Sequence, residues 1–171
     1  MDQTTPNGQM PDFDPDSEHA NAYQAFATLG RFLEEDGWYP QQMNDAYVYR
    51  MNFQGKNGDL RCYAQIRIEA EQLICYALTP IKVPAEARTA AAEFITRANY
   101  GMYIGNFEMD FNDGEVRYKS SVDFQDVPLE PYLIRNTIYP TVQLLDRYLP
   151  GLLKVVFGGK TPIEAVQEIE S

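Results

Sequence analysis

The chain has 171 residues, 44% hydrophobic and 23% charged, with 14 Lys and Arg against 25 Asp and Glu for a net charge of -11. At this length a fold buries about 68–70% of the unfolded surface, so a single soluble domain needs neither a disulfide framework nor a structural metal. The acidic surplus repels nucleic acid and anionic lipid, and no apolar run approaches the roughly 18 residues of a membrane span; with an opening Met-Asp-Gln-Thr-Thr that is neither basic nor apolar, a cytoplasmic location is expected.

Residues 1–18 hold Asp2, Asp12, Asp14, Asp16 and Glu18, no Lys or Arg, and Pro6, Pro11 and Pro15, the composition of a disordered acidic tail ahead of one domain at 19–171. Asp12, Asp14 and Asp16 imitate the first ligands of a calcium loop. Ser17 stands where that loop needs glycine and Tyr23 where it needs a bidentate glutamate, so no metal site is expected. Tyr23, Phe26, Ala27, Gly30 and Leu33 recur at helical spacing and predict a helix over 19–36, with Ser17 or Asn21 as cap and Gly37 as the left-handed stop. His19, the only histidine, sits at this helix start and is expected to be a solvated residue there, not a catalytic one.

Tyr47, Tyr49, Met51 and Phe53 alternate with polar residues, and Asn57-Gly58 is a favoured hairpin dipeptide. A turn centred there places Phe53 opposite Cys62, Tyr49 opposite Ile66 and Tyr47 opposite Ile68. A second turn at Ala70-Glu71 leads into the apolar run Leu73 to Leu78 and sets Cys75 opposite Ile66. Cys62 then lies about 13 Å farther along its strand, too far for a disulfide, and both cysteines read as small buried hydrophobes.

Pro84 opens an alanine-rich helix to about Asn99. A hairpin turning at Asp113-Gly114 sets Phe111 against Val116, Met109 against Tyr118 and Tyr103 against Phe124. On its reverse, Asp110 meets Arg117 and Glu108 meets Lys119. Ile134, Ile138, Val142, Leu145 and Leu149 form a helical stripe from Pro131, kinked at Pro140 and ended or bent at Pro150-Gly151. Thr161-Pro162-Ile163-Glu164 is a capping box for a short last helix. The expected fold is α+β: a five-stranded antiparallel sheet with helices on one face, in the order α-β-β-β-α-β-β-α-α.

Chemistry is sparse. Gly159-Lys160-Thr161 ends like a phosphate loop, but the initial glycine would have to be Lys154, and the capping box accounts for the same residues. Glu108, Asp110, Glu115 and Asp123 share a strand face, where Arg117 and Lys119 would hold them ionised and water would reach them. The face of the first hairpin turned away from the core is different: Arg50, Arg61 and Arg67 interleave with Tyr63 and continue into Ile74, Tyr76 and Leu78. That mixture of arginine, tyrosine and aliphatic side chains is typical of protein-binding surfaces. An alternative function places a small-molecule pocket between helices and the tyrosines Tyr47, Tyr49, Tyr103 and Tyr118.

The segment Arg97-Ala98-Asn99-Tyr100-Gly101-Met102-Tyr103-Ile104-Gly105-Asn106-Phe107-Glu108-Met109-Asp110, followed by Asp113-Gly114-Glu115-Val116-Arg117-Tyr118-Lys119, resembles the YbjN family, as does the order of elements from about residue 20 to 160. The family is described as candidate bacterial sensory transduction regulators with a fold like that of type III secretion chaperones. The resemblance implies a dimer that binds other proteins and brings no catalytic residues or cofactor. Chaperones of that fold pair through the middle helix, so Ala87, Ala90, Ala91, Phe94 and Ile95 are the expected homodimer contact, and Arg50, Arg61, Tyr63, Arg67 and Tyr76 the expected partner face. The expected function is a non-enzymatic regulator or chaperone-like protein-binding module.

Overall fold

A computed structural model describes residues 18–43 and 46–171, so the expected acidic tail, the Ser17 cap and the calcium-like aspartates lie outside the described residues, Glu18 excepted. Helix α1 (Ala20–Glu35) buries Ala22, Ala25, Phe26, Leu29 and Leu33 along one stripe. Gly37, at φ 79°, ends it as expected. Its N–H reaches Glu34 O (3.2 Å) and that of Trp38 reaches Leu33 O (2.9 Å), the paired bonds of a Schellman stop.

Six strands follow, not five: β1 (Gln41–Gln42), β2 (Val48–Gln54), β3 (Asp59–Arg67), β4 (Gln72–Lys82), β5 (Asn106–Met109) and β6 (Glu115–Asp123). They form one antiparallel sheet in the order β1-β2-β3-β4-β6-β5. The additional strand, β1, is two glutamines long and carries no apolar alternation, so hydrophobic periodicity has nothing to detect in it. Helix α2 (Arg88–Asn99) follows a short 3-10 turn at Ala85–Ala87, and α3 (Pro131–Phe157) and α4 (Pro162–Glu170) complete the chain.

Each of the three hairpins turns one residue earlier than its sequence suggests. The ladders pair Met51 with Cys62, Cys75 with Ala64, and Phe107 with Tyr118, which corrects the expected Phe53–Cys62, Cys75–Ile66 and Met109–Tyr118 pairings. The tips are Lys56-Asn57, Glu69-Ala70 and Asn112-Asp113. In the second and third, the residue with positive φ, Glu71 (47°) or Gly114 (78°), follows the turn instead of lying within it. A one-residue move of the tip shifts the register by two, and a two-residue shift keeps every side chain on its expected face. Cys62 and Cys75 consequently come closer than expected, about 7 Å apart along the strand direction. They remain free and buried, with burial pushing the Cys62 thiol up to about 12 and Cys75 higher still.

The first turn is positioned by α3. The Asp146 carboxylate accepts from Lys56 N (3.1 Å) and Asn57 N (2.8 Å), while Asn57 Nδ2 donates to Asp146 O (2.9 Å). That carbonyl is available because Pro150, four residues on, has no N–H to offer it. Helix α3 continues past the expected kink position at Pro140 and past Pro150-Gly151, which does not end it. Gly151 is needed there for room, since a Cβ would run into Phe94 of α2 and Ile169 of α4. The helices cover a single face of the sheet. Leu60, Cys62, Ala64, Ile66, Leu73, Cys75, Ala77, Val116 and Tyr118 point into the core with Ile134, Ile138, Val142, Leu145 and Leu149 of α3. The expected capping box is present at Thr161 and Glu164, and it leaves Gly159-Lys160-Thr161 as the entry to α4.

Because Asp146 satisfies two backbone donors of the β2–β3 turn, Asp146→Ala is expected to lower stability by about 1–2 kcal/mol in urea unfolding. A loss under about 0.3 kcal/mol would mean that water replaces the carboxylate there without penalty.

Candidate functional site

Alternation along the strands sends every second side chain to the face that no helix covers. The observed registers assemble these into rows that cross the sheet. One row runs Gln41, Arg50, Tyr63, Tyr76, Lys119, Asn106, and the next runs Asn52, Arg61, Leu78, Arg117, Glu108. Arg67 and Ile74 extend the same face. The five residues expected to form a partner face, Arg50, Arg61, Tyr63, Arg67 and Tyr76, are therefore brought together. None of them is buried.

The face divides electrostatically. On its β5–β6 side Glu108 binds both Arg117 (2.8 Å) and Lys119, and the Arg117 guanidinium lies 4.4 Å above the centre of the Tyr76 ring. Burial raises the Glu108 carboxyl, but the hydrogen bonds and charges of Lys119 and Arg117 outweigh it and hold the group below the usual carboxylate range. The sequence-level pairing of Asp110 with Arg117 is corrected: Asp110 Oδ1 instead accepts from Asn112 N (2.7 Å) within the turn. Asp123 is held low by Gln125 N and Gln72. Glu108, Asp110 and Glu115 line one cleft with Met109 and Arg117, and Lys119 and Arg117 hold Glu108 ionised, the opposite of the raised carboxyl that a general acid needs.

On the β2–β3 side Arg50, Arg61 and Arg67 form no ion pair among the described residues. Arg50 donates to Gln41, Arg67 Nη1 donates to Gln72 Oε1 (2.9 Å), and Arg61 is exposed. Arg61 also lines an open groove of about 710 Å³ with Asn52, Leu78, Pro80 and Lys82. Sequence reading missed this groove because a β4 irregularity between Leu78 and Lys82 makes it. There the Thr79 hydroxyl lies within donating distance of Ile81 O (2.8 Å) and of Val116 O on β6 (3.1 Å). The only sequence signal was Pro80 inside an otherwise strand-like run.

The other expected sites are placed differently. Ala91, Phe94 and Ile95 are buried inside this chain, and Ala87 and Ala90 pack on the same core. The cause is α3 and α4: Phe94 meets Tyr148 edge-on at 6.4 Å, and α4 lies against α2. Of the proposed tyrosine pocket, Tyr49 stacks on Phe26 (4.6 Å) and Tyr118 packs edge-on with Phe107 (4.9 Å) and donates to Ile104 O (2.5 Å). Tyr103 lies fully exposed outside it and does not pair with Phe124. Asn99 bonds both backbone groups of Phe107 (2.7 and 3.1 Å), which closes the α2–β5 connection into a tight excursion and turns Tyr100 and Tyr103 outward. His19 occupies the N-cap of α1.

These features define an α+β protein whose antiparallel sheet is covered by helices on one side. A family model described as "Putative bacterial sensory transduction regulator", YbjN, matches residues 26–154, and the chain belongs to that family. Among solved structures it is similar to one titled "Crystal structure of YbjN, a putative transcription regulator from E. coli", with a TM-score of 0.51 and 11% identity over 73% of this chain and 91% of that one, a likeness of fold. Among curated proteins no match was found. The family match ends within α3, so α4 and the acidic N-terminal residues lie outside it. No helix among the described residues is long and apolar enough to cross a membrane.

Since the Glu108 pKa is depressed, its ion pairs contribute stability above the unfolded carboxyl pKa near about 4.3, and that contribution is lost as pH falls through the lower folded value. Glu108→Gln is expected to cost about 0.5–1 kcal/mol at neutral pH. The difference from the parent should shrink as pH is taken below about 4. An undiminished difference in acid would assign the loss to packing instead.

Proposed function

We propose that this protein is a non-enzymatic, chaperone-like regulator of the cytoplasm that binds another protein through the outer face of its sheet. The observation that carries the reading is Arg61, exposed beside a groove, without an ionic partner, next to the Arg50, Tyr63 and Tyr76 row. Tyrosine and arginine supply most of the energy of protein interfaces, because a rigid ring covers area at little entropic cost and a guanidinium grips carboxylates with two bonds. Arg50, Arg61 and Arg67 serve no ion pair within the described fold although the chain carries 25 acids, so their charge stays available to a ligand. The family description, a regulator of sensory transduction, agrees with action by binding. The ring contacts that fill the space around Tyr49 and Tyr118 weigh against the alternative of a small-molecule pocket.

Full-length protein used as bait in an extract of its native host is expected to lose its captured protein when Arg61→Ala and Tyr63→Ala are combined, and to keep it with Glu93→Ala on α2. Thermal unfolding of each variant confirms that the fold persists. Capture unchanged by the double variant contradicts the assignment.

A further inference from the structure

We infer that the partner segment this face takes is an extended acidic one, with carboxylates at two alternate positions held by Arg50 and Arg61 and an aliphatic side chain at the next alternate position seated in the groove on β4. The inference rests on the reading of the outer face as a protein-binding surface and names the chemistry of the segment bound there.

The strand registers set the spacing. Arg50 pairs with Tyr63 and Asn52 with Arg61, so Arg50 lies one strand across and two residues along from Arg61, about 8 Å between backbones. Alternate side chains of an extended chain point to one side about 7 Å apart, and a single segment laid diagonally across the strands therefore meets both guanidiniums. The next step along that diagonal leads past Leu78, the partner of Arg61 on β4, to the groove lined by Pro80 and Ile81. A carboxylate has two free guanidiniums to meet here. Among the described residues Arg50 donates only to the neutral Gln41 and Arg61 forms no ion pair, although Asp59 stands two residues from it on the same side of β3. A guanidinium takes a carboxylate through two parallel bonds, which the one Gln41 oxygen does not supply.

The groove also sorts what lies where. Its own acids, Asp59 and Glu115, belong to the next row toward the hairpin tips, and Lys82 in that row is bound to Asp113. Carboxylates of a ligand are thus kept to the Arg50–Arg61 side, and the apolar lining on β4 receives an aliphatic side chain. Nucleic acid fits this face less well. Its bases need open rings to stack on, whereas the Arg117 guanidinium already lies 4.4 Å above Tyr76, and its phosphates would bring many charges into the field of a chain with a net charge of -11. For a few carboxylates that field is screened beyond about 8–10 Å at ordinary salt, while the guanidinium contact is direct.

The test is fluorescence anisotropy of the full-length protein with labelled synthetic probes: two peptides that differ only at their centre, Glu-Ser-Glu-Ser-Leu or Gln-Ser-Gln-Ser-Leu, and an oligothymidylate of similar length. The Glu peptide is expected to bind at least about tenfold tighter than the Gln peptide, and Arg61→Ala to remove about that factor. Arg61→Lys keeps the charge without the fork and should recover only part of the loss. Asp59→Asn removes a like charge from the groove and should tighten binding, while Glu93→Ala on α2 should leave it unchanged. Thermal unfolding of each variant confirms that the fold persists. Equal binding of the two peptides, or Glu-peptide binding indifferent to Arg61→Ala, overturns the proposal, and tighter binding of the oligothymidylate overturns it in favour of nucleic acid. A Glu peptide that fails to bind, with capture from the host extract still dependent on Arg61 and Tyr63, removes the acidic segment and leaves the protein-binding face standing. Arg61-dependent binding of the Glu peptide, with capture indifferent to those residues, does the reverse.

Discussion

The structure follows from one constraint: a strand's side chains alternate, and the helices of this chain lie on only one side of its sheet. Every residue that builds the core through Leu60, Ile66, Leu73 or Tyr118 therefore leaves a neighbour on the opposite face. That face can be solvated, covered or used. Here it mixes arginine, tyrosine and aliphatic side chains with amides, and none of its residues in β2, β3 or β4 is buried.

What keeps the sheet flush with its helical cover is α3. Its apolar stripe from Ile134 to Leu149 runs across the inner face, and Pro150 leaves a backbone gap that the fold uses. At Pro150 the missing donor frees Asp146 O for Asn57, and the Asp146 carboxylate takes the turn amides, which fixes the end of the first hairpin to the helix. At Gly151 the absent side chain lets α2 and α4 pack against the same helix. Closing α2 against α3 and α4 also places Ala91, Phe94 and Ile95 inside the chain.

The sequence was most legible where the information is periodic. Helical spacing located α1 and α3, proline with an alanine-rich run located α2, a capping box located α4, and the strand alternation assigned the side chains of β2, β3 and β6 to their correct faces. The family segment was legible from its residues as well. Register was not, because dipeptides such as Asn57-Gly58 and Asp113-Gly114 mark a turn without saying whether the glycine lies within it or just after it. For the first hairpin the deciding contact, Asp146, lies about 90 residues away in sequence, as the separation of its bonds to Lys56 records. The groove at Arg61 was hidden for a related reason: the β4 irregularity that forms it leaves a single proline as its trace. The alanine-rich stripe of α2 packs within its own chain, and its sequence looks the same whether such a stripe meets another helix of the chain or another copy.

The functional account joins these points. A rigid, one-sided sheet displays unpaired guanidinium groups between tyrosine rings in a chain that is otherwise strongly acidic, and such a surface suits a regulator that acts by binding. Leu73 and Ile74 are adjacent in β4 yet point to opposite faces, which makes their methyl groups reporters of the two sides. Methyl spectra of the full-length protein, recorded with and without the protein it captures from its native host, test the claim directly. The account predicts that Ile74 and Leu78 signals shift while Ile66 and Leu73 stay in place; shifts confined to methyl groups of α2, α3 or α4, with Ile74 and Leu78 unmoved, would contradict it.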